Sequence, residues 1–384
     1  MKKSIRIAAW GALAAWILGA FCPGAQAQAP GVSAQSAVLI SAGDGAVVFE
    51  KNAHEQLAMA STTKIMTALL TLEEAARSGD PALEITGEMV RVEGSSMGLQ
   101  EGNRLTLSNL TAGMLLASGN DAANSAALYL AGSQEAFGDM MNARAGEIGM
   151  KDTHFVTPSG LDDEEHYSTA YDMAILAREA LENPEFARIA GSASLQVEFL
   201  EPAQKVTYSN HNKLLRIYEG CVGVKTGFTK KAGRCLVSAA RREGTTLIAV
   251  TLNAPDDWND HMALLDYGFQ TVKTLSLDGG EIPGSLAVAG GEEVPLRAGE
   301  GVTPTVPVEE AEGVVRRVLL PKFLYAPVEK GEKVGRVQYL AGGQEIYSVP
   351  ILAAEGVEAL LPEEPGFWEG LWQTVRGWFG AQYS

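Results

Sequence analysis

A serine and a lysine stand three residues apart in a stretch that otherwise has the composition of a buried helix. Ser61 and Lys64 lie within residues 58–72, AMASTTKIMTALLTL, whose other positions are alanine, methionine, leucine, isoleucine and threonine. Helical spacing of three residues places both side chains on one face. An ammonium on a buried face is costly to keep charged, so its pKa falls. A role as helix N-cap would account for Ser61 but would not explain why a lysine occupies position 64.

Residues 1–27 have the pattern of an export signal. Three basic residues among the first six precede an apolar run at 7–21, and Ala-Gln-Ala at 25–27 forms a small-x-small cleavage site. The apolar run is short for a membrane span and is followed at once by the cleavage pattern. We therefore expect a signal peptide, and a protein that is exported across the cytoplasmic membrane.

Composition after the signal narrows the classes of partner. The remaining residues carry 27 basic and 47 acidic side chains. That balance argues against a nucleic acid partner and against electrostatic binding to anionic lipid. The five histidines show no metal-ligand spacing, so we expect neither a metal nor another cofactor. Cys221 and Cys235 are the only cysteines beyond the signal, and the sequence leaves a disulfide between them open.

Periodicity along residues 28–275 predicts helices enclosed between strands. Alternation on either side of a Gly-Asp-Gly turn predicts an N-terminal hairpin at 36–40 and 46–49. Helical periodicity follows at 61–76, 108–117, 120–131, 134–148 and 169–181, strand-like runs at 194–199, 221–228, 233–240 and 245–252, and a last helix near 260–273. Strands at both ends predict one sheet closed by its N- and C-terminal strands, with helices packed against it.

The pattern changes after this region. Short β-like runs broken by glycine and proline predict a small, separate all-β domain at 276–362. Within 363–384, apolar residues recur at steps of three and four and three of them are tryptophans. This segment is too short and polar to span a bilayer, so we expect an amphipathic helix anchored in the outer face of the cytoplasmic membrane. The alternative is a terminal helix docked on the β domain.

Two further motifs place polar groups where predicted elements meet. Ser118-Gly119-Asn120 falls between two apolar helices, and Lys225-Thr226-Gly227 ends a predicted strand. Gly227 would allow the backbone of a ligand to approach closely. Taken singly, the first motif reads as a helix break and the second as a strand end. With Ser61 and Lys64 they form an ordered series on helix, loop and strand, and chance does not account for that order.

These motifs and their flanks resemble the D-alanyl-D-alanine carboxypeptidases, the low-molecular-mass penicillin-binding proteins. The resemblance runs from about residue 33 to 273 and is carried by AMASTTKIMTALLTLE, LLASGNDAANSAA, GMKDTHFVTPSGLDD, NHNKLL and GVKTGFTKKAG. It implies an α+β fold in which a penicillin-binding, β-lactamase-like transpeptidase domain, an antiparallel sheet with helices, precedes the small all-β domain and the C-terminal helix. It also implies an enzyme that removes the terminal D-alanine from peptidoglycan stem peptides through an acyl-enzyme, and that binds β-lactam antibiotics covalently.

The resemblance further implies a role for each polar residue of the motifs. Ser61 Oγ attacks the carbonyl of the penultimate D-alanine, and Lys64, neutral at rest, accepts its proton. Ser118 relays the proton to the departing D-alanine, while Asn120 holds Lys64 and the substrate amide. The N–H groups of Ser61 and Phe228 form the oxyanion hole. Lys225, Thr226 and Thr229 receive the substrate carboxylate, so the implied substrate-binding residues are Lys225, Thr226, Gly227, Phe228 and Thr229.

One departure from the family concerns that carboxylate. Relatives commonly supply an arginine after the strand that follows Lys-Thr-Gly. Here residues 253–261 read NAPDDWNDH and contain none. Arg234 is the candidate substitute.

Several other functions fit part of the sequence. A β-lactamase would need a carboxylate placed for deacylation, and no matching glutamate loop is found. The stretch GSSMG at 94–98 matches the nucleophile elbow of α/β-hydrolases, but residues 99–103 read as a turn instead of the required helix. A catalytically idle murein-binding protein would have no need of every polar motif position. A D,D-endopeptidase would use the same site, and the sequence leaves that alternative open.

Overall fold

Strands begin and end the N-terminal part of the chain, and helices lie between them. The computed structural model describes residues 28–359 and 371–372. Its strands are β1 (Ser36–Ser41), β2 (Val47–Lys51), β3 (Ala82–Glu84), β4 (Arg104–Thr106), β5 (Ser194–Phe199), β6 (Gln204–Ser209), β7 (Cys221–Thr229), β8 (Gly233–Arg242), β9 (Thr245–Leu252), β10 (Val272–Thr274), β11 (Ser285–Leu286), β12 (Val288–Ala289), β13 (Val294–Ala298), β14 (Thr305–Pro307), β15 (Val315–Leu319), β16 (Leu324–Tyr325), β17 (Lys333–Ala341) and β18 (Gln344–Ala353). Its helices are α1 (Lys64–Ser78), α2 (Leu107–Leu116), α3 (Asn120–Ala131), α4 (Gln134–Ile148), α5 (Ala170–Glu182), α6 (Pro184–Ala190), α7 (Leu214–Ile217), α8 (Asp257–Thr271) and α9 (Val308–Ala311). A 3-10 helix, Ala60–Thr63, leads directly into α1.

The central sheet is antiparallel and has the strand order β2-β1-β9-β8-β7. Ala37 in β1 lies opposite Thr251 in β9. The first strand therefore pairs with the last strand of this part of the chain, which confirms the predicted closure of the sheet. β7 is an edge strand, and its outer side contacts the 3-10 helix.

Alternating side chains of the strands serve two cores, one on each face of the sheet. In β8, Cys235 and Val237 pack on the side of helices α1 to α6, whereas Leu236 and Ala240 pack on the side of α8. This alternation is the period of two expected for a strand. Because helices cover both faces, β1 is buried throughout, and β8 and β9 are buried along most of their length.

The register of β7 and β8 keeps the two cysteines apart. Cys221 lies opposite Ala240, and Cys235 lies opposite Gly227. This offset of six strand residues corresponds to about 20 Å along the ladder, far beyond the Cα separation of a disulfide. Both thiols are free. The intrachain disulfide that the sequence left open is therefore not formed.

A second five-stranded sheet, of order β11-β13-β18-β17-β15, has its own apolar core. Pairing of β10 with β14 joins this β-rich part to the end of α8. The backbone N–H and Oγ1 of Thr305 both donate to the carboxylate of Asp44 in the β1–β2 turn. The β-rich part thus contacts the hairpin at the β2 edge of the central sheet, and β7 is the opposite edge.

Element boundaries differ from the predictions where the structure is short or irregular. The predicted helix 61–76 starts as a 3-10 turn and becomes α-helical only at Lys64. The short pair β3–β4 and the largely exposed β6 were not predicted, because a few residues carry little periodic signal. The predicted signal peptide and nearly all of the predicted helix 363–384 lie outside the described residues. Among the described helices, none combines the length and apolar character needed to cross a membrane.

Gly160→Ala should destabilise the protein. Gly160 has a φ of +81°, and an added Cβ would lie 1.9 Å from the carbonyl oxygen of Ala60. Neither the left-handed backbone nor that contact tolerates a side chain, so we expect the free energy of unfolding to fall by more than about 2 kcal/mol in urea denaturation. Gly146→Ala is the matched control, because Gly146 lies inside α4 with open space around it. In this variant the free energy of unfolding should rise by about 0.5–1 kcal/mol. An unchanged stability for Gly160→Ala would contradict this account of the contact.

Candidate active site

The 3-10 helix brings the first two predicted residues together. Side chains three residues apart eclipse each other in this geometry, and Lys64 Nζ lies 2.9 Å from Ser61 Oγ. Ala60, directly before the serine, has a φ of +49°. A positive φ is unfavourable for a residue with a Cβ and persists only where neighbouring contacts hold it.

One buried histidine supplies part of that support. His166 Nδ1 accepts a hydrogen bond from the backbone N–H of Val156 at 2.9 Å, so the ring hydrogen is on Nε2 and is donated to Thr63 Oγ1 at 2.8 Å. Thr63 Oγ1 in turn donates to the carbonyl oxygen of Ala60 at 2.9 Å. Burial lowers the pKa of His166 to about 4. The ring is therefore neutral near pH 7 and holds the turn that presents Ser61.

Lys64 Nζ has three polar neighbours. It lies 2.7 Å from Asn120 Oδ1, 2.7 Å from the carbonyl oxygen of Ser159 and 2.9 Å from Ser61 Oγ. Asn120 Nδ2 donates to the carbonyl oxygen of Glu93, which fixes the orientation of the amide. Asn120 Oδ1 and the Ser159 carbonyl can only accept hydrogen bonds. In a neutral amine they take both hydrogens, and the lone pair is left facing the hydroxyl of Ser61.

The surroundings of Lys64 favour that neutral form. Its side chain is fully buried. Burial holds the pKa of Lys64 well below its ordinary value, and the charge of nearby Lys225 lowers it further, with Asp121 acting in the opposite direction. Burial also lowers the pKa of Lys225, to about 7. The site therefore holds one amine that readily loses its proton beside a second that titrates near neutrality.

The second and third motifs meet at Lys225. Ser118 lies in the loop between α2 and α3 and has a φ of +58°. Lys225 Nζ, from β7, donates to Ser118 Oγ at 3.1 Å and to the carbonyl oxygen of Thr226 at 2.8 Å. The two hydroxyls of Ser61 and Ser118 are thus each in contact with one buried lysine.

Asp121 fixes the loop that faces these groups. Its carboxylate accepts hydrogen bonds from Ser96 Oγ and from the backbone N–H groups of Met97, Gly98 and Leu99. This loop contains the GSSMG stretch, and residues 99–103, which directly follow the stretch, are not helical. Asp121 thus holds this loop in place as one wall of the cleft. A nucleophile elbow is excluded at this position.

Gly227 makes a close main-chain contact that was not predicted. A Cβ at this position would lie 3.0 Å from the backbone nitrogen of Ser61 and 3.1 Å from the carbonyl oxygen of Met59. We expected the glycine to admit the backbone of a ligand. The glycine also admits the backbone of the 3-10 helix, so that β7 lies directly against the turn that contains Ser61.

A cleft of about 280 Å³ opens at this junction. It is lined by Ser61, Ser95, Ser118, His211, Thr226, Gly227, Phe228, Arg234, Asp257 and Trp258. Lys64, Asn120 and Lys225 are buried and contact its serines directly or through one another. Thr229 lies beyond Phe228, where its Oγ1 donates to Asp162 Oδ1 at 2.7 Å and accepts from the backbone N–H of Ala232. The structure thus brings the predicted residues to one place, with the hydroxyl of Thr229 already engaged.

Several supporting residues have no signature in the sequence that predicts their role. Asp121, Ser159 and His166 belong to no chemical motif, although Asp121 directly follows one and Ser159 lies within a family-like segment. A contact through a backbone carbonyl, such as that of Ser159, leaves no mark on residue type. Within the described part of the chain, no group of three or more His, Cys, Asp or Glu side chains is placed to hold a metal ion.

Known proteins resemble this chain in sequence and in structure. Residues 24–256 match the family described as D-alanyl-D-alanine carboxypeptidase, and residues 269–359 match the C-terminal domain of penicillin-binding protein 5. D-alanyl-D-alanine carboxypeptidase DacF of Bacillus subtilis is 32% identical over 357 residues, covering 90% of each chain. DacC of Escherichia coli is 32% identical over 395 residues, covering 95% of this chain and 94% of the relative. Penicillin-binding protein 5 of Haemophilus influenzae has a similar structure, with a TM-score of 0.72 at 29% identity over 86% of this chain and 99% of that one.

Lys225→Gln should raise the pKa of Lys64. The charge of Lys225 lowers that pKa in addition to burial, and removing a neighbouring cation favours the protonated amine. Because burial remains, the pKa should still be below 10.5. Carbon-13 NMR of labelled lysine side chains across a pH series measures it. Lys213→Gln, which removes an exposed lysine, is the control and should leave the value unchanged. An unchanged or lower Lys64 pKa in Lys225→Gln would refute the electrostatic link.

Proposed function

The chain belongs to the D-alanyl-D-alanine carboxypeptidase family of serine peptidases, and we propose that Ser61 is the nucleophile with which it removes the terminal D-alanine of peptidoglycan stem peptides. The observation that carries this assignment is the hydrogen bonding of Lys64. Its two acceptor-only neighbours, Asn120 Oδ1 and the Ser159 carbonyl, leave its lone pair directed at Ser61 Oγ. An activated nucleophile needs a base within hydrogen-bond reach that a third group orients.

The proposed acylation step moves one proton from Ser61 to the departing amine by way of Lys64 and Ser118. Ser61 Oγ attacks the carbonyl carbon of the penultimate D-alanine while its proton passes to Lys64. The N–H groups of Ser61 and Phe228 stabilise the negative charge on the carbonyl oxygen. The C–N bond then breaks and Ser118 donates its hydroxyl proton to the departing amine of D-alanine. The proton that Lys64 took from Ser61 passes to Ser118, so that both residues return to their starting state. Water attacks the ester that remains and releases the shortened peptide.

Asn120 and Lys225 have supporting roles in this proposal. Asn120 Oδ1 orients Lys64 at 2.7 Å, and the Glu93 carbonyl keeps that amide from turning over. Lys225 Nζ, 3.1 Å from Ser118 Oγ, favours the transient negative charge on that oxygen when its proton leaves. Thr226 and Gly227 form the strand edge along which the substrate lies. A lower pKa for Lys64 is what a general base near neutral pH requires.

The same geometry applies to β-lactam antibiotics. A β-lactam presents a strained amide to Ser61, and its acylation leaves no small amine to diffuse away. Within residues 28–359, the groups other than Ser61 that accept a hydrogen bond from Lys64 are an amide oxygen and a backbone carbonyl. A β-lactamase would require a carboxylate at that place to activate the hydrolytic water. We therefore propose a long-lived penicillin adduct on Ser61.

We also propose that the protein is exported and held at the outer face of the cytoplasmic membrane by residues 363–384. The apolar positions of this segment recur at steps of three and four, and three of the four tryptophans beyond the signal are found there. Indole favours the membrane–water interface. Within 366–384 the only charged side chains are Glu369 and Arg376. Binding that relies on so few charges is hydrophobic and insensitive to salt.

Penicillin should label Ser61, and the protein should release D-alanine from an acylated peptide that ends in D-Ala-D-Ala. Mass spectrometry of the digested adduct locates the modified peptide, and an amino-acid oxidase assay measures the D-alanine. Ser61→Ala should lose both reactions while its melting temperature is retained. Ser78→Ala, which alters an exposed serine at the end of α1, is the control and should retain both. Labelling of Ser61→Ala would place the nucleophile elsewhere.

A companion variant tests the base in the same assays. Lys64→Arg keeps the positive charge but cannot lose a proton near neutral pH. Acylation of Ser61 should therefore fall by several orders of magnitude, as expected when a nucleophile loses its base. Circular dichroism checks that the variant folds. If a folded Lys64→Arg protein kept most of its acylation rate, the base would have to be another group.

Truncation after Pro365 should release the protein from membranes without changing the site. The full mature chain should sediment with liposomes of zwitterionic phospholipid at both low and high salt, and the truncated chain should stay in the supernatant. Penicillin should acylate both at the same rate, because the cleft lies within residues 61–258. Arg376→Gln is the control for charge and should still sediment. Full-length protein that fails to sediment, or that high salt removes, would disprove the anchor.

A further inference from the structure

The free carboxylate of the substrate must be recognised close to Ser61. A carboxypeptidase breaks the last peptide bond, so the carboxylate belongs to the residue that leaves. Consecutive Cα atoms are 3.8 Å apart, which puts this carboxylate within about 5 Å of the attacked carbonyl carbon. The group that binds it must therefore line the same cleft as the nucleophile. A fixed cation with several N–H donors is the usual partner of a carboxylate.

The cleft offers few such groups. Lys225 is buried and donates to Ser118 Oγ and the Thr226 carbonyl. The hydroxyl hydrogen of Thr229 is donated to Asp162. Burial and Lys225 lower the pKa of His211, which keeps that ring neutral near pH 7. Among the cleft-lining side chains within residues 28–359, Arg234 is the one whose positive charge is permanent.

Arg234 reaches the cleft from the neighbouring strand. It lies in β8 directly opposite Phe228 of β7 and one ladder step from the pair formed by Cys235 and Gly227. Gly227 in turn contacts the backbone nitrogen of Ser61. The Arg234 side chain is 41% exposed, whereas that of its partner Asp257 is 4% exposed. The guanidinium thus faces the open cleft and the carboxylate lies behind it.

The guanidinium is held in place before any substrate arrives. Asp257 Oδ1 accepts from Arg234 Nε at 2.9 Å and from Nη2 at 2.6 Å. The indole of Trp258 lies below it, with Arg234 Cζ 5.6 Å from the ring centroid. In the described part of the chain, no group accepts a hydrogen bond from Nη1. A planar guanidinium braced along one edge presents its other edge to a second carboxylate.

We propose that Arg234, braced by Asp257 and Trp258, binds the terminal carboxylate of the substrate, an inference that rests on the proposed carboxypeptidase function. The segment 253–261 contains no arginine of its own. It contributes the first turn of α8, which carries both braces. The cation of this subsite and its support thus come from two different elements. An internal peptide bond has no free carboxylate beside it. The preference of the enzyme for the last peptide bond of a chain therefore depends on this contact.

The test compares two peptides that differ only at the chain end: an acylated tripeptide ending in D-Ala-D-Ala, and the same peptide with a C-terminal amide. The wild-type mature chain should prefer the free acid in kcat/KM. Arg234→Gln should lower kcat/KM for the free acid roughly 10- to 100-fold, as for loss of a charge-assisted pair, and should leave the amide within about threefold. The loss should appear mainly as a higher KM. Arg234→Lys keeps the positive charge but not the two parallel N–H donors of the guanidinium, and it should recover part of the lost kcat/KM.

Lys213→Gln is the matched control, because Lys213 Nζ also lies over Trp258, at 5.9 Å, but does not line the cleft. It should leave both substrates unchanged. Melting temperature and complete penicillin labelling after long incubation show that each variant is folded with a working nucleophile. If Arg234→Gln keeps the preference for the free acid, the carboxylate is bound elsewhere and the inference is wrong, while the proposed function stands. If the wild-type protein cleaves neither peptide, the proposed function itself fails.

Discussion

The burial of the Lys64 amine is the interaction on which the rest of the site depends. Its partners come from three separate parts of the chain: the 3-10 helix, the start of α3 and the loop that contains Ser159. A buried polar group that loses its partner costs about 1–3 kcal/mol. The same contacts that make the lysine tolerable therefore also lock these elements together. Stability and reactivity have one origin here, because the acceptors that stabilise the amine also aim its lone pair.

Close approach of backbones makes those contacts accurate. Gly160 admits the carbonyl of Ala60, and Gly227 admits the backbone nitrogen of Ser61, so the 3-10 helix is enclosed on two sides without intervening side chains. The neutral ring of His166, through Thr63, holds a third point of the same turn. Ser61 is thus positioned by main-chain packing more than by its own side chain. Such preorganisation is what nucleophilic catalysis requires.

The two edge strands of the central sheet lie beside different parts of the molecule. The β7 edge carries the cleft, and the hairpin at the β2 edge contacts the β-rich part through Thr305 and Asp44. Between them, α8 covers one face of the sheet and begins with Asp257 and Trp258, the braces of Arg234. This helix therefore links the apolar core beneath the sheet to the part of the cleft where we propose that the substrate carboxylate binds. The absence of an arginine in 253–261 is then consistent with a carboxylate subsite built from β8.

Local sequence patterns determined the elements and the chemical inventory of this protein. Period-two and helical repeats predicted the strands of the central sheet and the bounds of α3 and α4, because these patterns depend on neighbouring residues alone. Spacing likewise singled out Ser61, Lys64 and the two later motifs. Tertiary structure alone decided which groups meet: the carbonyls of Ser159 and Glu93 carry no residue signature, and strand register separated Cys221 from Cys235. Contacts between distant segments depend on how the backbone packs, and no local pattern encodes that packing.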